Sequence, residues 1–334
     1  MKVLLKSLHA AYVDVWNGWV HGQVFIGVGL FVAVAAGFYL IFERKRGLSF
    51  RQAWKYIFPR SLYDNRSARI DIWNWLLFSF LWTPVITAGA AVYGALVGND
   101  LSAMLVSRFG PREPLLHSAW SIVAIQVSVL YLTYQFVDYW VHRAMHKVPL
   151  FWGFHRSHHS SEALNFFTAP RGHPFEFMQA ILEPGITNAV FGGILFYATG
   201  TPLHHLTPGV LQAVGTVSGL ALAVAHSHIP VSLGRLNYII GSSVMHQIHH
   251  SRELPHRDKN FGTGFMLFDW MFGTLYMPKR GETYNRWGIS DEEIGERNPH
   301  KCLRDLYFEP LRYMWGVLTA PKGNLPNSAG SLRP

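Results

Sequence analysis

Five long stretches without a charged side chain constrain what this chain can fold into. They are Phe25 to Phe42, Ile72 to Val97, Leu115 to Val137, Ile186 to Leu203 and Pro208 to Ala225, of 18, 26, 23, 18 and 18 residues. A helix of ~20 apolar residues spans a bilayer core, where it satisfies its own backbone hydrogen bonds. Core helices of a soluble protein would carry polar stripes, which these runs lack. Charged residues make up 15% of the 334, below the ~25% of an ordinary soluble domain. The expected fold class is therefore all-α: an integral membrane bundle of four to five transmembrane helices, the last two forming a short hairpin through 201–208. The first run is followed by Glu43-Arg44-Lys45-Arg46 and not by a small-residue cleavage site, so it is expected to be retained.

Orientation follows from the charges. The chain carries 29 Lys and Arg against 20 Asp and Glu, a net charge of +9. The loop between the first two runs holds Arg44, Lys45, Arg46, Arg51, Lys55, Arg60, Arg66 and Arg69 against only Glu43, Asp64 and Asp71, which marks it as cytoplasmic. Its basic character thus needs no nucleic acid partner. Counting crossings from there puts the segments after Val137 and after Ala225 on the cytoplasmic face, with His204 and His205 on the far side.

That placement matters because 14 of the 18 histidines fall between His142 and His256. His142 and His146 are one helical turn apart on one face. His155-Arg156-Ser157-His158-His159 and His246-Gln247-Ile248-His249-His250 both read His-x-x-His-His. With 18 His in 334 positions, chance gives roughly 0.05 copies of that triplet. Spacings of three and four project imidazoles from one side of a helix, and several such segments can surround one or two metal ions. Neutral imidazole suits iron, zinc, copper and nickel. The single cysteine, Cys302, excludes disulfides and cysteine-built metal sites.

His226 ends the fifth run, where a helix would emerge on the same face, and is a further ligand candidate. His228, His173, Asp138 and Asp258 are candidates either for the metal or for hydrogen bonds to its ligands; Asp138 lies one turn before His142. His9, His21, His117, His204, His205 and His300 are set aside as isolated or on the wrong side. No Ser–His–Asp, phosphate-loop or dinucleotide signal is present, so an oxidising metal centre would need electrons from a separate donor.

His142 to His146, His155 to His159, His226 and Met245 to Ser251, followed by DKNFG and LFDWMFGTLY, resemble the boxes of the fatty acid hydroxylase superfamily, which includes sterol desaturases and sphingolipid and carotenoid hydroxylases. The stretch HHSSEALNFFTAPRGHPFE at 158–176 is similar to bacterial members. The resemblance covers about 115–278. It implies an O2-dependent, membrane-bound non-haem di-iron oxygenase that hydroxylates an unactivated C–H bond of a lipid, or desaturates it, with two Fe ions held by His142, His146, His155, His158, His159, His226, His246, His249 and His250. Many members have Asn where this chain has His228. A ferredoxin, a cytochrome b5 or a reductase is the expected donor, and an acidic one would suit the basic face. A bacterial inner membrane is the expected location.

A metal transporter would place ionisable residues near the bilayer midplane, and a zinc hydrolase would put Glu inside a His box as its base. Neither feature is present, and both readings rank below the oxygenase. The expected organisation is an N-terminal membrane region over 1–114, a catalytic region over 115–278 and a cytoplasmic tail over 279–334.

Overall fold

The computed structural model describes residues 47, 49–83, 85, 86, 89, 100–200, 222–279, 282, 284–290 and 298–320. Their regular elements are helices, with no strand among the described residues, and two isolated β-bridges, Ile240–Phe265 and Ser251–Trp287, pin loops together.

Helix α1 (Phe50–Ile57) starts with a reciprocal cap: Gln52 N donates to Ser49 Oγ, and Ser49 N donates to Gln52 Oε1 at 2.8 Å. A single turn, α2 (Arg60–Tyr63), leads to α3 (Arg66–Leu77), whose first turn is satisfied by Ala68 N donating to Asn65 Oδ1. A π-helical turn over Phe78–Trp82 continues α3. Next come α4 (Asp100–Phe109) and the 29-residue α5 (Ala119–Lys147).

Only Val148, extended at φ −95° and ψ 114°, separates α5 from α6 (Pro149–His159). The cause is local: proline excludes the helical region for the residue before it, yet suits the first position of a new helix. The chain therefore reverses within one residue and lays the second histidine box against the end of α5. Helix α7 (Gln179–Ile186) passes through a π-turn over Thr187–Gly192 into α8 (Gly193–Thr199). Left-handed Gly200 then ends the run, at a position where a Cβ would strike Arg112 O and Glu113 O. Later α-helices are α9 (Ser243–His249), α10 (Leu267–Met271) and α11 (Leu303–Thr319), with short 3-10 turns over Gly234–Tyr238 and Leu254–His256.

Among the described residues one helix is long and apolar enough to cross a membrane, Trp120–Lys147, with a mean hydropathy of 1.4 in its most apolar window. Its outward face is apolar, carrying Trp120, Ile125, Val127, Tyr131, Leu132 and Trp140, as a lipid-facing surface would be. Of the other runs, Phe25 to Phe42 lies outside the described residues, as do most of 84–97, the 201–208 link and the fifth run as far as Ala221. The fourth run is helical as far as Thr199.

The expected tail after 279 contains a packed element. Helix α11 lies on α6, where Arg156 Nη2 donates to Glu309 Oε1 at 3.1 Å and the guanidinium sits 4.2 Å from the Tyr313 ring centre. The N-terminal α3 also reaches the histidine region. Buried Asp71 pairs with buried Arg171 and accepts from Ser161, Asn165 and Thr168, clamping the loop after α6.

Candidate metal centre

Nine imidazoles converge in two buried groups. His142, His146, His155, His159 and His249 form one, and His158, His226, His246 and His250 the other; within each, the potential ligand atoms all lie within 4.8 Å of one another. Each His-x-x-His-His box divides between the groups. On α6, the i and i+4 residues His155 and His159 enter the first group and His158 the second. At α9 the assignment is reversed, with His246 and His250 in the second group and His249 in the first.

Five outer contacts fix which nitrogen faces inward. His142 Nδ1 donates to Phe261 O at 2.6 Å, His249 Nδ1 to Lys259 O at 2.9 Å, His158 Nδ1 to Arg171 O at 2.9 Å and His226 Nδ1 to Leu222 O at 2.8 Å. His155 Nδ1 donates to the Glu176 carboxylate at 2.7 Å. A neutral imidazole has one N–H, so each of these rings turns a lone pair inward at Nε2. Nevertheless His142 Nε2 stands 3.1 Å from His155 Nε2, and His158 Nε2 stands 3.1 Å from His226 Nε2. Two lone pairs at that separation repel unless a cation lies between them.

The spacing also suits a cation. With metal–nitrogen bonds of about 2.1 Å, two ligands at right angles sit about 3.0 Å apart. The Nε2 contacts of His246 with His226 and His250, at 2.8 and 3.0 Å, fall on the same scale. His146 Nε2 and His249 Nε2 are buried with no hydrogen-bond partner. Burial, followed by the proximity of the other imidazoles, holds His155, His159, His249 and His250 well below the ordinary histidine range, and burial pushes His226 down to about 4. The rings are therefore neutral, the form that binds metal. Each group could hold one ion.

The DKNFG segment acts as an outer cradle. Asp258 and Asn260 adopt left-handed φ of 57°, and the tight turn they make aims Lys259 O at His249 and Phe261 O at His142. Asp258 Oδ1 lies 3.5 Å from His146 Nδ1. Asn260 is held by Met245 O, Tyr276 O and Tyr276 N. Asp269, from LFDWMFGTLY, accepts from Phe261 N, Gly262 N and Thr274 Oγ1. Those two sequence blocks thus orient ligands without supplying any.

Three other candidates stand apart from the imidazole groups. Asp138 accepts from Thr263 Oγ1 at 2.9 Å, while its expected partner His142 is taken by Phe261 O. His228 Nε2 donates to Tyr56 O, and His173 Nδ1 accepts from Phe175 N. Trp152 is buried beside His146 and His159, with ring centres 5.2 and 5.5 Å away. Sequence reasoning missed Glu176 and the Asp71–Arg171 pair. Glu176 closes the stretch similar to bacterial members, yet no spacing rule ties it to His155.

A cavity of about 510 Å³ opens beside both groups, reaching His142, His155, His158, His226 and His246. Trp75, Phe78, Met145, Phe166, Leu222 and Ala223 form its apolar wall. That apolar wall suits an alkyl chain.

The comparisons agree with this geometry. The sequence profile of the fatty acid hydroxylase family matches residues 127–274, which contain all nine imidazoles. Over residues 127–274 the chain is therefore similar to the fatty acid hydroxylase family. Alkylglycerol monooxygenase of Homo sapiens is 31% identical over 146 residues, 43% of this chain and 29% of that protein. Ornithine lipid hydroxylase of Rhizobium tropici is 25% identical over 206 residues, 61% and 58% of the two chains. Very-long-chain aldehyde decarbonylase of Oryza sativa subsp. japonica is 30% identical over 165 residues, 49% and 58%. The chain thus spans between 29% and 58% of the length of these relatives. No solved structure matches it.

Proposed function

We propose that this chain is an integral-membrane, non-haem di-iron oxygenase that hydroxylates an unactivated C–H bond of a lipid, taking O2 as co-substrate and electrons from a separate protein. The observation that carries the reading is the pair of facing Nε2 lone pairs, His142 with His155 and His158 with His226. Five and four imidazoles exceed what a four-coordinate zinc site with an open position uses, and they suit iron. Bound there, two irons would supply O2 activation and the oxidising power to attack an alkyl C–H bond.

The chain's own residues do the rest. Carbonyls at 171, 222, 259 and 261 and the Glu176 carboxylate lock the rings, so little reorganisation accompanies metal binding. The apolar wall excludes water and holds a chain against His142 and His226. Insertion of oxygen is favoured over desaturation because the relatives include an alkylglycerol monooxygenase and an ornithine lipid hydroxylase. We place the histidine boxes on the cytoplasmic face, where a soluble donor can reach them.

The test is elemental analysis and Mössbauer spectroscopy of protein grown with ⁵⁷Fe, followed by mass analysis of membrane lipids after exposure to ¹⁸O2. About two coupled irons per chain and a lipid gaining one labelled oxygen support the reading. A lipid losing two hydrogens without gaining label would assign desaturation instead. Zinc alone after anaerobic iron reconstitution would overturn both.

A further inference from the structure

Beside its apolar wall, the cavity has an acidic one. Tyr134, Asp138 and His142 lie at successive turns on one stripe of α5, and all three line the cavity. Across from them α7 contributes Gln179 and Glu183. Asp138 and Glu183 are 4% and 1% exposed, and they interact electrostatically. Glu176 lines the same space; its Oε1 takes His155, while Oε2 is buried with no partner.

Three carboxyl groups thus face one cavity. Arg171, the only Arg or Lys among the described residues of its lining, is committed to Asp71, Ser157 O and Ser160 Oγ. A carboxylate has about four acceptor sites. Glu183 uses some of its sites on Gln179 Nε2 at 2.6 Å and on Tyr134, and Asp138 some on Thr263. The remaining acceptor capacity and the unpartnered Glu176 oxygen border the cavity that His142 also lines, with Asp138 one helical turn from His142 on α5. An alkane would leave it unsatisfied, and a fatty carboxylate or phosphate would bring further acceptors instead of a donor.

The geometry points to a substrate whose chain carries a hydrogen-bond-donating polar group, a hydroxyl or an amine, held by Asp138, Glu183 and Glu176 while a nearby carbon rests against His142, and it points away from a free fatty acid. This inference rests on the lipid-oxygenase reading and names the class of lipid. Asp138 and Glu183 become specificity residues for the chain's polar end.

The test uses the full-length, metal-loaded protein in nanodiscs and reads displacement of a fluorescent alkyl probe by chain-matched 1-hexadecanol, hexadecylamine, hexadecane and palmitate. One satisfied buried hydrogen bond predicts that the alcohol and amine displace the probe at roughly ten-fold lower concentration than palmitate or hexadecane. Amine above alcohol indicates a charged pair; alcohol equal to amine indicates a neutral one. In Asp138→Asn with Glu183→Gln, the preference over palmitate should collapse. Palmitate equal to or tighter than the alcohol in the wild type overturns the inference, as does an unchanged ranking in the double variant. If the double variant does not fold, Asp138→Asn alone and the wild-type ranking decide. Iron is measured on the same samples. A donor-head preference without iron would overturn the oxygenase reading alone, and iron without the preference would overturn only the substrate class.

Discussion

His158 Nε2 and His226 Nε2 stand 3.1 Å apart although each ring has given its one N–H to a main-chain carbonyl, Arg171 O and Leu222 O. The same holds for His142 and His155 in the other group, where the acceptors are Phe261 O and the Glu176 carboxylate. Because the groups are separate, their ions should be separable. His158→Ala removes a ligand from one group and His249→Ala from the other, so each variant should retain about one iron where the wild type binds about two, and lose turnover. His173→Ala, outside both groups, should leave the iron unchanged. Iron per chain on purified protein checks all three, and loss of both ions from either ligand variant would mean a single cooperative site.

Without a cation, buried lone pairs face one another and two Nε2 atoms lack any partner. Each unsatisfied buried group costs about 1–3 kcal/mol, so stripping the metal should lower the unfolding temperature by several degrees or more. Thermal unfolding before and after dialysis against a chelator, with iron restored in a third sample, measures this. An unchanged midpoint would show that the groups do not hold a metal tightly.

Glu176 orients His155 without being a ligand. Removing such an outer partner usually costs about 10–100-fold in metal affinity or activity. Glu176→Ala should therefore weaken iron binding on that scale, and Glu176→Gln, which still accepts a hydrogen bond, should recover most of it. Competition with a chelator of known affinity distinguishes the two variants, whereas a purely packing role would leave both alike.

Much of this site was legible in the sequence. Spacing of three and four put His155, His158 and His159 on one side of a helix, and Pro149 marks where α5 must end. What spacing cannot reveal is that the middle histidine of each box crosses to the other group, because that depends on how α6 and α9 face each other. The roles of Asp71 and Glu176 were hidden for the same reason. Asp71 read as an ordinary charge in a basic loop, yet it is fully buried on Arg171. Asp138 shows the opposite failure: its register relative to His142 is right, but Phe261 O already fills the position it would need.

That buried ion pair carries its own prediction. Asp71→Ala would strand the Arg171 guanidinium, 1% exposed, and release the loop that presents Arg171 O to His158. Breaking a buried pair from one side costs about 3–5 kcal/mol. The variant should unfold at markedly lower denaturant and bind less iron. A wild-type denaturation midpoint would show that the clamp between α3 and the loop contributes little.

Cys302 reports on which side of the membrane the centre lies. It is the chain's single cysteine, it is exposed, and it caps α11, the helix packed on the α6 box. Whatever face holds His155, His158 and His159 therefore also holds Cys302, and no engineered cysteine is needed. With the boxes on the cytoplasmic side, a membrane-impermeant maleimide should leave the protein unlabelled in intact cells and label it in inside-out vesicles. Cys302→Ser controls for reaction elsewhere and should keep its iron, since the thiol touches neither imidazole group. Labelling in intact cells would place the centre on the outer face, and the basic 44–69 loop would have to be reassigned with it, since α3 and α11 are in contact.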